Sequence, residues 1–184
     1  MRVISGSARG TKLNSIESLS TRPTLDRVKE SVFNIIQNKI QDSVILDLFA
    51  GSGAIAIEFL SRGAQKAYLC EKNPMAVKMI YNNIEKTRTN SNAVVIAKDY
   101  KKALELFKQQ ELKFDFVYID PPYQADIAVD SVERIISLGL LKEEGNIIIE
   151  TDDEKRELLE LEKLNVKVLD TRKYGRVSLI FLAK

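Results

Sequence analysis

From Val44 onward, short apolar runs alternate with amphipathic stretches, and this alternation limits the possible folds more than any other feature of the chain. The apolar runs are VILDLF (44–49), KAYLCE (66–71), AVVIA (93–97), FDFVYI (114–119) and NIIIE (146–150). They are too continuous for strands with one wet face, and they suit strands covered on both sides. Helical patterns separate them: SGAIAIEFLSRGA, a stretch opened by Asn73 and Pro74 as cap and first residue, 100–110, a segment near 126–138, and DEKRELLELEKL. In the second of these, Val77, Ile80, Tyr81 and Ile84 are expected to face inward. Repeated strand–helix units of this kind imply an α/β fold with a mostly parallel sheet between two helical layers. VKVLDTRKY and VSLIFLA, joined through Gly175, are spaced to close the chain as an antiparallel pair. In such sheets ligands bind at the carboxyl ends of the strands, and every unusual residue cluster of this sequence falls there.

Residues 1–40 have a separate character. RVIS and TKL read as short strands around the turn-like GSARG, and SLSTRPT as a loop. A helix follows, with Thr24 as its cap, Asp26 in its first turn and an apolar stripe of Leu25, Val28, Val32, Ile35 and Ile36. Arg27, Glu30 and Asn34 lie on another face.

Composition narrows the chemistry. The 184 residues contain no histidine and one cysteine, Cys70. That excludes Ser-His and Cys-His nucleophiles, an internal disulfide and the common zinc sites, and no metal site is expected. Cys70 reads as a buried strand residue. No apolar run is long enough to span a bilayer and no signal-like leader opens the chain, so a cytoplasmic protein without membrane contact is expected. The net charge of +2 conceals an asymmetry: residues 1–39 carry +4, residues 166–184 carry +4, and the middle carries −6. Basic ends around an acidic body fit a polyanion-binding face assembled from both termini.

The first apolar run ends in Asp47-Leu-Phe-Ala-Gly51-Ser-Gly53. Glycines there permit a sharp turn and a close approach of ligand to main chain. Glu71 ends the next strand, twenty residues after Gly51. A carboxylate so placed can accept both hydroxyls of a ribose. GSGAIA also matches the dinucleotide pattern, but an anionic Asp47 would oppose a pyrophosphate at the helix N-terminus. It suits a ligand with a positive amino group. S-adenosylmethionine, which has an ammonium, a sulfonium and a ribose but no phosphate, is favoured over NAD. Asp99, after the third strand, can meet the adenine amino group or cap the following helix.

The fourth strand ends in Asp120-Pro121-Pro122-Tyr123. Proline has no N–H, so the two prolines present carbonyl oxygens without competing donors, and Asp120 adds carboxylate acceptors. Such a pocket matches the exocyclic amino group of a nucleobase. Holding both hydrogens would turn the nitrogen lone pair out of the ring for in-line attack. Tyr123 offers a face for base stacking.

DLFAGSG, Glu71 and DPPY together resemble the class I S-adenosylmethionine-dependent amino-methyltransferases. RVISGSARGTKL, RPTLDRVKESVFNII, DLFAGSGAIAIEFLSRGA and the basic RKYGRVSLIFLAK narrow the resemblance to the RsmD family, over nearly the whole chain. The resemblance implies a Rossmann-like, seven-stranded, mostly parallel sheet with the last strand antiparallel. It implies a short N-terminal extension (1–40) that contacts RNA, and a methyltransferase domain (41–184). The implied activity is methylation of the N2 amino group of one guanine in 16S rRNA, within an assembled or assembling small ribosomal subunit. S-adenosylmethionine would be held by Asp47, Phe49, Ala50, Gly51, Ser52, Gly53, Glu71 and Asp99. The guanine amino group would be held by Asp120, Pro121, Pro122 and Tyr123. Arg9, Arg22, Arg27 and Lys29 would contact RNA, with Lys29 standing where the family pattern has an arginine. DPPY alone is shared with adenine methyltransferases, so adenine-N6 methylation of RNA or DNA is the competing expectation.

Overall fold

The structure is a computed structural model that describes residues 1–15, 23–122 and 127–184, with residues 23–26 described by their helical backbone alone. After helix α1 (Pro23–Ile36) and a 3-10 turn, strands and helices alternate: β1 (Val44–Asp47), α2 (Ala54–Ser61), β2 (Lys66–Cys70), α3 (Pro74–Thr87), β3 (Ala93–Ile96), α4 (Tyr100–Gln109), β4 (Phe114–Ile119), α5 (Ile127–Ser137), β5 (Leu141–Thr151), α6 (Glu154–Leu161), β6 (Lys167–Tyr174) and β7 (Val177–Ala183). The seven strands form one sheet in the order β3-β2-β1-β4-β5-β7-β6. β1 to β5 run parallel, and β7 is antiparallel to both β5 and β6. The strand order reverses between β1 and β4, which opens a crevice at their carboxyl ends.

Side chains alternate across the sheet, so each strand feeds two cores. Ile45, Phe116, Tyr118 and Ile148 pack against α1, α2 and α3. Leu46, Val117, Ile119 and Ile149 pack against α4, α5 and α6. Cys70 is buried, as expected.

Several local expectations are corrected. Pro23 starts α1, so Thr24 lies inside the helix rather than at its cap; proline at the first helical position has no N–H to leave unsatisfied. Among the described side chains the buried arc of α1 is Val28, Lys29, Val32, Phe33 and Ile36, whereas Ile35 is 43% exposed; the side chains of Leu25 and Asp26 lie outside those described. Phe33 packs edge-on against Phe59 of α2, and Lys29, one turn earlier on the same face, is buried with it. Tyr81 is likewise exposed, while Ile80 and Ile84 fill the inward face of α3. β5 begins earlier than NIIIE, because Leu141 already pairs with Phe114 before a register shift. RVIS and TKL form a single bridge, Arg2 to Lys12, instead of two strands. The amides of Ile4 and Ser5 donate to the buried carboxylate of Glu58 (2.8 and 3.0 Å), which holds that segment to α2.

Candidate active site

The turn after β1 is tied to both neighbouring strands. Leu48 N–H donates to the carbonyl of Tyr118 and Ala50 N–H to that of Cys70. Gly51 and Gly53 both have positive φ, and a Cβ at Gly53 would come within 3.0 Å of the Leu69 side chain. Phe49 packs against Tyr100 with the rings tilted by 48° and their centroids 5.4 Å apart. Glu71 is drawn into this turn: Oε2 accepts from Gly51 N–H (2.9 Å) and Oε1 from Asn73 N–H (2.8 Å). Asn73 caps α3, accepting from Met75 and Ala76. Asp99 caps α4, accepting from Lys101 N–H at 3.0 Å.

Asp47 is buried on the floor of the crevice and accepts from Ala56 N–H at 3.3 Å. Burial pushes its carboxyl up to about 7; the Ala56 amide works against that, and the charge of Glu71 adds to it. Two strands away, Glu150 lies at the carboxyl end of β5. Ile119 and Ile149 are register partners, which places Asp120 and Glu150 side by side one residue further on. Asp120 is exposed at the crevice, and desolvation against the crevice wall, then the charges of Glu150 and Asp47, raise its carboxyl above the usual carboxylate range. The Glu150 carboxyl is raised by burial, and a 2.5 Å hydrogen bond donated by the Tyr118 hydroxyl works against that rise.

Two cavities meet at this pair of acids. One is walled by Asp47, Phe49, Ala50, Gly51 and Ser52. The other is walled by Pro121, Pro122, Thr151, Asp152 and Arg156. Asp120 and Glu150 line both. One cavity therefore lies over the glycine turn, the other over the two prolines, and a carboxylate wall separates them. The first fits a cationic group better than a phosphate: its lining holds Asp47, Asp120 and Glu150 against one cationic side chain, Lys29, which is paired with Glu58, and the Gly51 amide is already donated to Glu71.

Asp47, Phe49, Ala50, Gly51, Ser52, Asp120, Pro121 and Pro122 are thus brought together as the sequence suggests. Gly53 lies buried beneath the turn, Glu71 joins through its bond to Gly51, and Asp99 stands apart at the start of α4. Tyr123 and Arg22 lie outside the described residues. Arg9 and Arg27 line one surface cavity with Arg2 and Glu30. Lys29 is corrected: it is 2% exposed, paired with Glu58 at 3.1 Å and donating to the carbonyl of Arg2. A buried lysine with a carboxylate partner cannot reach an RNA phosphate on the surface. Sequence reasoning missed Glu150, although an acid ending an apolar run was a usable signal. It also missed Tyr118, which reads as plain core, and Arg2, which local pattern does not distinguish from any surface charge.

The family described as conserved hypothetical protein 95 matches residues 1–183. The chain is 33% identical to ribosomal RNA small subunit methyltransferase D of Haemophilus influenzae, over 84% of this chain and 80% of the relative. It is 32% identical to the protein of the same name from Escherichia coli K12, over 84% and 76%. Among solved structures, a hypothetical protein of Thermus thermophilus superposes with a TM-score of 0.82 at 27% identity, covering 100% of this chain and 99% of the other. The sheet order, the paired cavities and these similarities agree, and the chain belongs to the conserved hypothetical protein 95 family, the RsmD family of its sequence resemblance.

Proposed function

We propose that this protein transfers a methyl group from S-adenosylmethionine to the exocyclic N2 amino group of a specific guanine in the 16S rRNA of the small ribosomal subunit. The observation that carries the proposal is the meeting of the two cavities at Asp120 and Glu150. The names of the relatives support ribosomal RNA of the small subunit as the substrate class.

When bound, S-adenosylmethionine supplies an electrophilic methyl group on a sulfonium and leaves as a thioether. The residues of the chain do the rest. Asp47 would hold the positive end of that cofactor, and the turn from Phe49 to Gly53 would shape its berth. Glu71 would accept the ribose hydroxyls alongside the Gly51 and Asn73 amides, and Asp99, at the start of α4, would accept from the adenine amino group. Asp120 and the carbonyls flanking Pro121 and Pro122 grip the amino hydrogens of the guanine, and Tyr123 stacks on its ring. Gripped in this way, the nitrogen lone pair leaves conjugation and points along the attack direction. The proton shed by the nitrogen afterwards leaves through the ionised Asp120 carboxylate or water. No histidine is required.

Residues 1–40 form the RNA-contacting extension in this scheme and residues 41–184 the methyltransferase domain. Arg9 and Arg27, with Arg2, would meet phosphates, and Arg22, outside the described residues, is assigned to the mouth of the site by the family resemblance alone. An assembled or assembling subunit is the substrate, in the cytoplasm, because one small domain offers little surface with which to select a single guanine from naked RNA.

The test is incubation with labelled S-adenosylmethionine and small subunits that lack the modification, followed by identification of the labelled nucleoside. N2-methylguanosine at one site is expected. Methyladenosine would replace guanine by adenine and overturn the assignment of the base. Asp120→Asn should lower the methylation rate by about 10²-fold or more while RNA binding persists; an unchanged rate would remove Asp120 from the chemistry.

A further inference from the structure

We propose that Glu150, oriented by Tyr118, accepts the N1–H of the target guanine while Asp120 takes the amino group, and so selects guanine over any base with an acceptor at N1. This rests on the guanine-N2 assignment above and names the residue that would enforce it.

Glu150 and Asp120 stand at the ends of adjacent parallel strands, one residue past the paired Ile149 and Ile119. Neighbouring strands lie about 4.8 Å apart, so the two carboxyl groups can span two neighbouring donors on one base edge. Both line the cavity over Pro121 and Pro122. Tyr118 is 2% exposed and donates to Oε2 of Glu150. That bond favours the ionised, acceptor-only form and leaves Oε1 for another donor. Among the described residues, nothing donates to Oε1 of Glu150 or to either oxygen of Asp120. Two adjacent acidic groups with only one donor between them, the Tyr118 hydroxyl on Oε2 of Glu150, call for a ligand rich in donors.

The edge of guanine fits. N1–H and the N2 amino group are adjacent donors pointing the same way, and they would sit between two acceptors that otherwise repel one another. Adenine presents its amino group beside N1, which is an acceptor. Its lone pair would face the Glu150 carboxylate, and both groups would be left unpaired. Sites built to hydrogen-bond a substrate N–H discriminate strongly against analogues lacking it, for this reason.

2-Aminopurine separates reading of N1–H from general support of the site. It keeps the reactive amino group, but its N1 is an acceptor. Small subunits are reconstituted with 16S rRNA carrying guanine or 2-aminopurine at the position that the wild-type protein methylates, and single-turnover rates are measured for wild type and Glu150→Gln. The wild type should strongly prefer guanine. The glutamine amide can donate to an N1 acceptor, so in Glu150→Gln the guanine-to-2-aminopurine rate ratio should fall by about ten-fold or more. Rates are compared at saturating S-adenosylmethionine, because Glu150 also lines the cofactor cavity and any loss of cofactor affinity then falls equally on both bases and leaves the ratio unmoved. Parallel loss on both bases, with an unchanged ratio, would overturn the proposal and leave Glu150 a structural acid. If the wild type places its label on adenine, the guanine assignment itself fails, and the labelled nucleoside reveals this before any variant is compared. Tyr118→Phe keeps the core ring, removes the orienting bond and should lower the same ratio by a smaller factor. It provides the test if Glu150→Gln does not fold, since an unaltered ratio in Tyr118→Phe together with a wild type indifferent to 2-aminopurine would equally end the proposal.

Discussion

Asp47 sits where the fold would be better served by a neutral residue. Its carboxyl ionises near 7 in the folded protein against an ordinary value of 3.8. A raised carboxylate value means that the folded state holds the proton longer than the unfolded chain. Folding therefore loses stability as pH rises from about 4 through about 7, by on the order of a few kcal/mol for a group this buried. Asp120 and Glu150 act in the same direction. Urea unfolding at pH 5 and pH 8 should show the wild type weaker at pH 8, and Asp47→Asn should narrow the gap without closing it. The same substitution should weaken S-adenosylmethionine binding, measured by calorimetry, because the site would lose a negative floor. A variant that gained stability at pH 8 and kept full cofactor affinity would detach Asp47 from the ligand. Glu58 shows the opposite case. It is fully buried and holds Lys29, Arg62 and the amides of Ile4 and Ser5. Glu58→Ala strands the Lys29 charge and should cost about 3–5 kcal/mol, read from the urea midpoint; a loss below about 1 kcal/mol would show that the pair relaxes into solvent. Lys29 was legible as a cation on an amphipathic helix but not as a buried one. The partner that buries it lies twenty-nine residues away, and helical periodicity has no access to that distance.

At the scale of elements, the strands were legible because hydrophobic continuity marks them directly: β4 spans Phe114–Ile119, the residues the apolar run delimits. The N-terminal arm was not legible, because its fixings are side chains on α2 and α3 instead of a strand ladder. Ser61 accepts from Ala8 N–H and donates to the Ser5 carbonyl, while its own carbonyl accepts from Ser7. Asn83 of α3 bonds both the amide and the carbonyl of Asn14 and also the carbonyl of Ser52 in the glycine turn. The arm and the cofactor turn therefore share one anchoring side chain. Gly6 is the tightest point: its φ is +83°, and a Cβ there would lie 1.7 Å from the Ser61 carbonyl oxygen. Gly6→Ala should lift the arm from α2. Amide exchange should accelerate at Ser7 and Ala8 while the β1, β4 and β5 amides remain protected. Unchanged protection at Ser7 and Ala8 would mean that the arm is held mainly through Glu58.

The charge asymmetry becomes a spatial fact only in the whole molecule. α1 carries Arg27, and one turn later the hydroxyl of Ser31 hydrogen-bonds that of Tyr174 at the end of β6. Tyr174 and Val177 pack against the same core as α1. The β6–β7 turn, with exposed Lys173 and Arg176, therefore reaches the carboxyl end of the sheet, where Val177 also lines the cavity over the prolines. Basic segments at opposite ends of the chain thus flank one crevice with an acidic floor, which suits a polyanion held at the rim and a donor-rich base within. Among the described residues, Arg2, Arg9, Arg27, Lys173 and Arg176 enter no ion pair, so no described carboxylate is bound to them in place of a phosphate. If both segments meet RNA, the logarithm of the binding constant should fall linearly with that of salt concentration, by about 0.7–0.9 per phosphate neutralised. Arg27→Glu and Arg176→Glu should each reduce the slope by about one, and together by about two, since the two sites are separate contributors to one face. Filter binding of small subunits between low and physiological salt measures this. A slope altered by the α1 variant alone would confine RNA to the N-terminal side and leave the hairpin a structural edge.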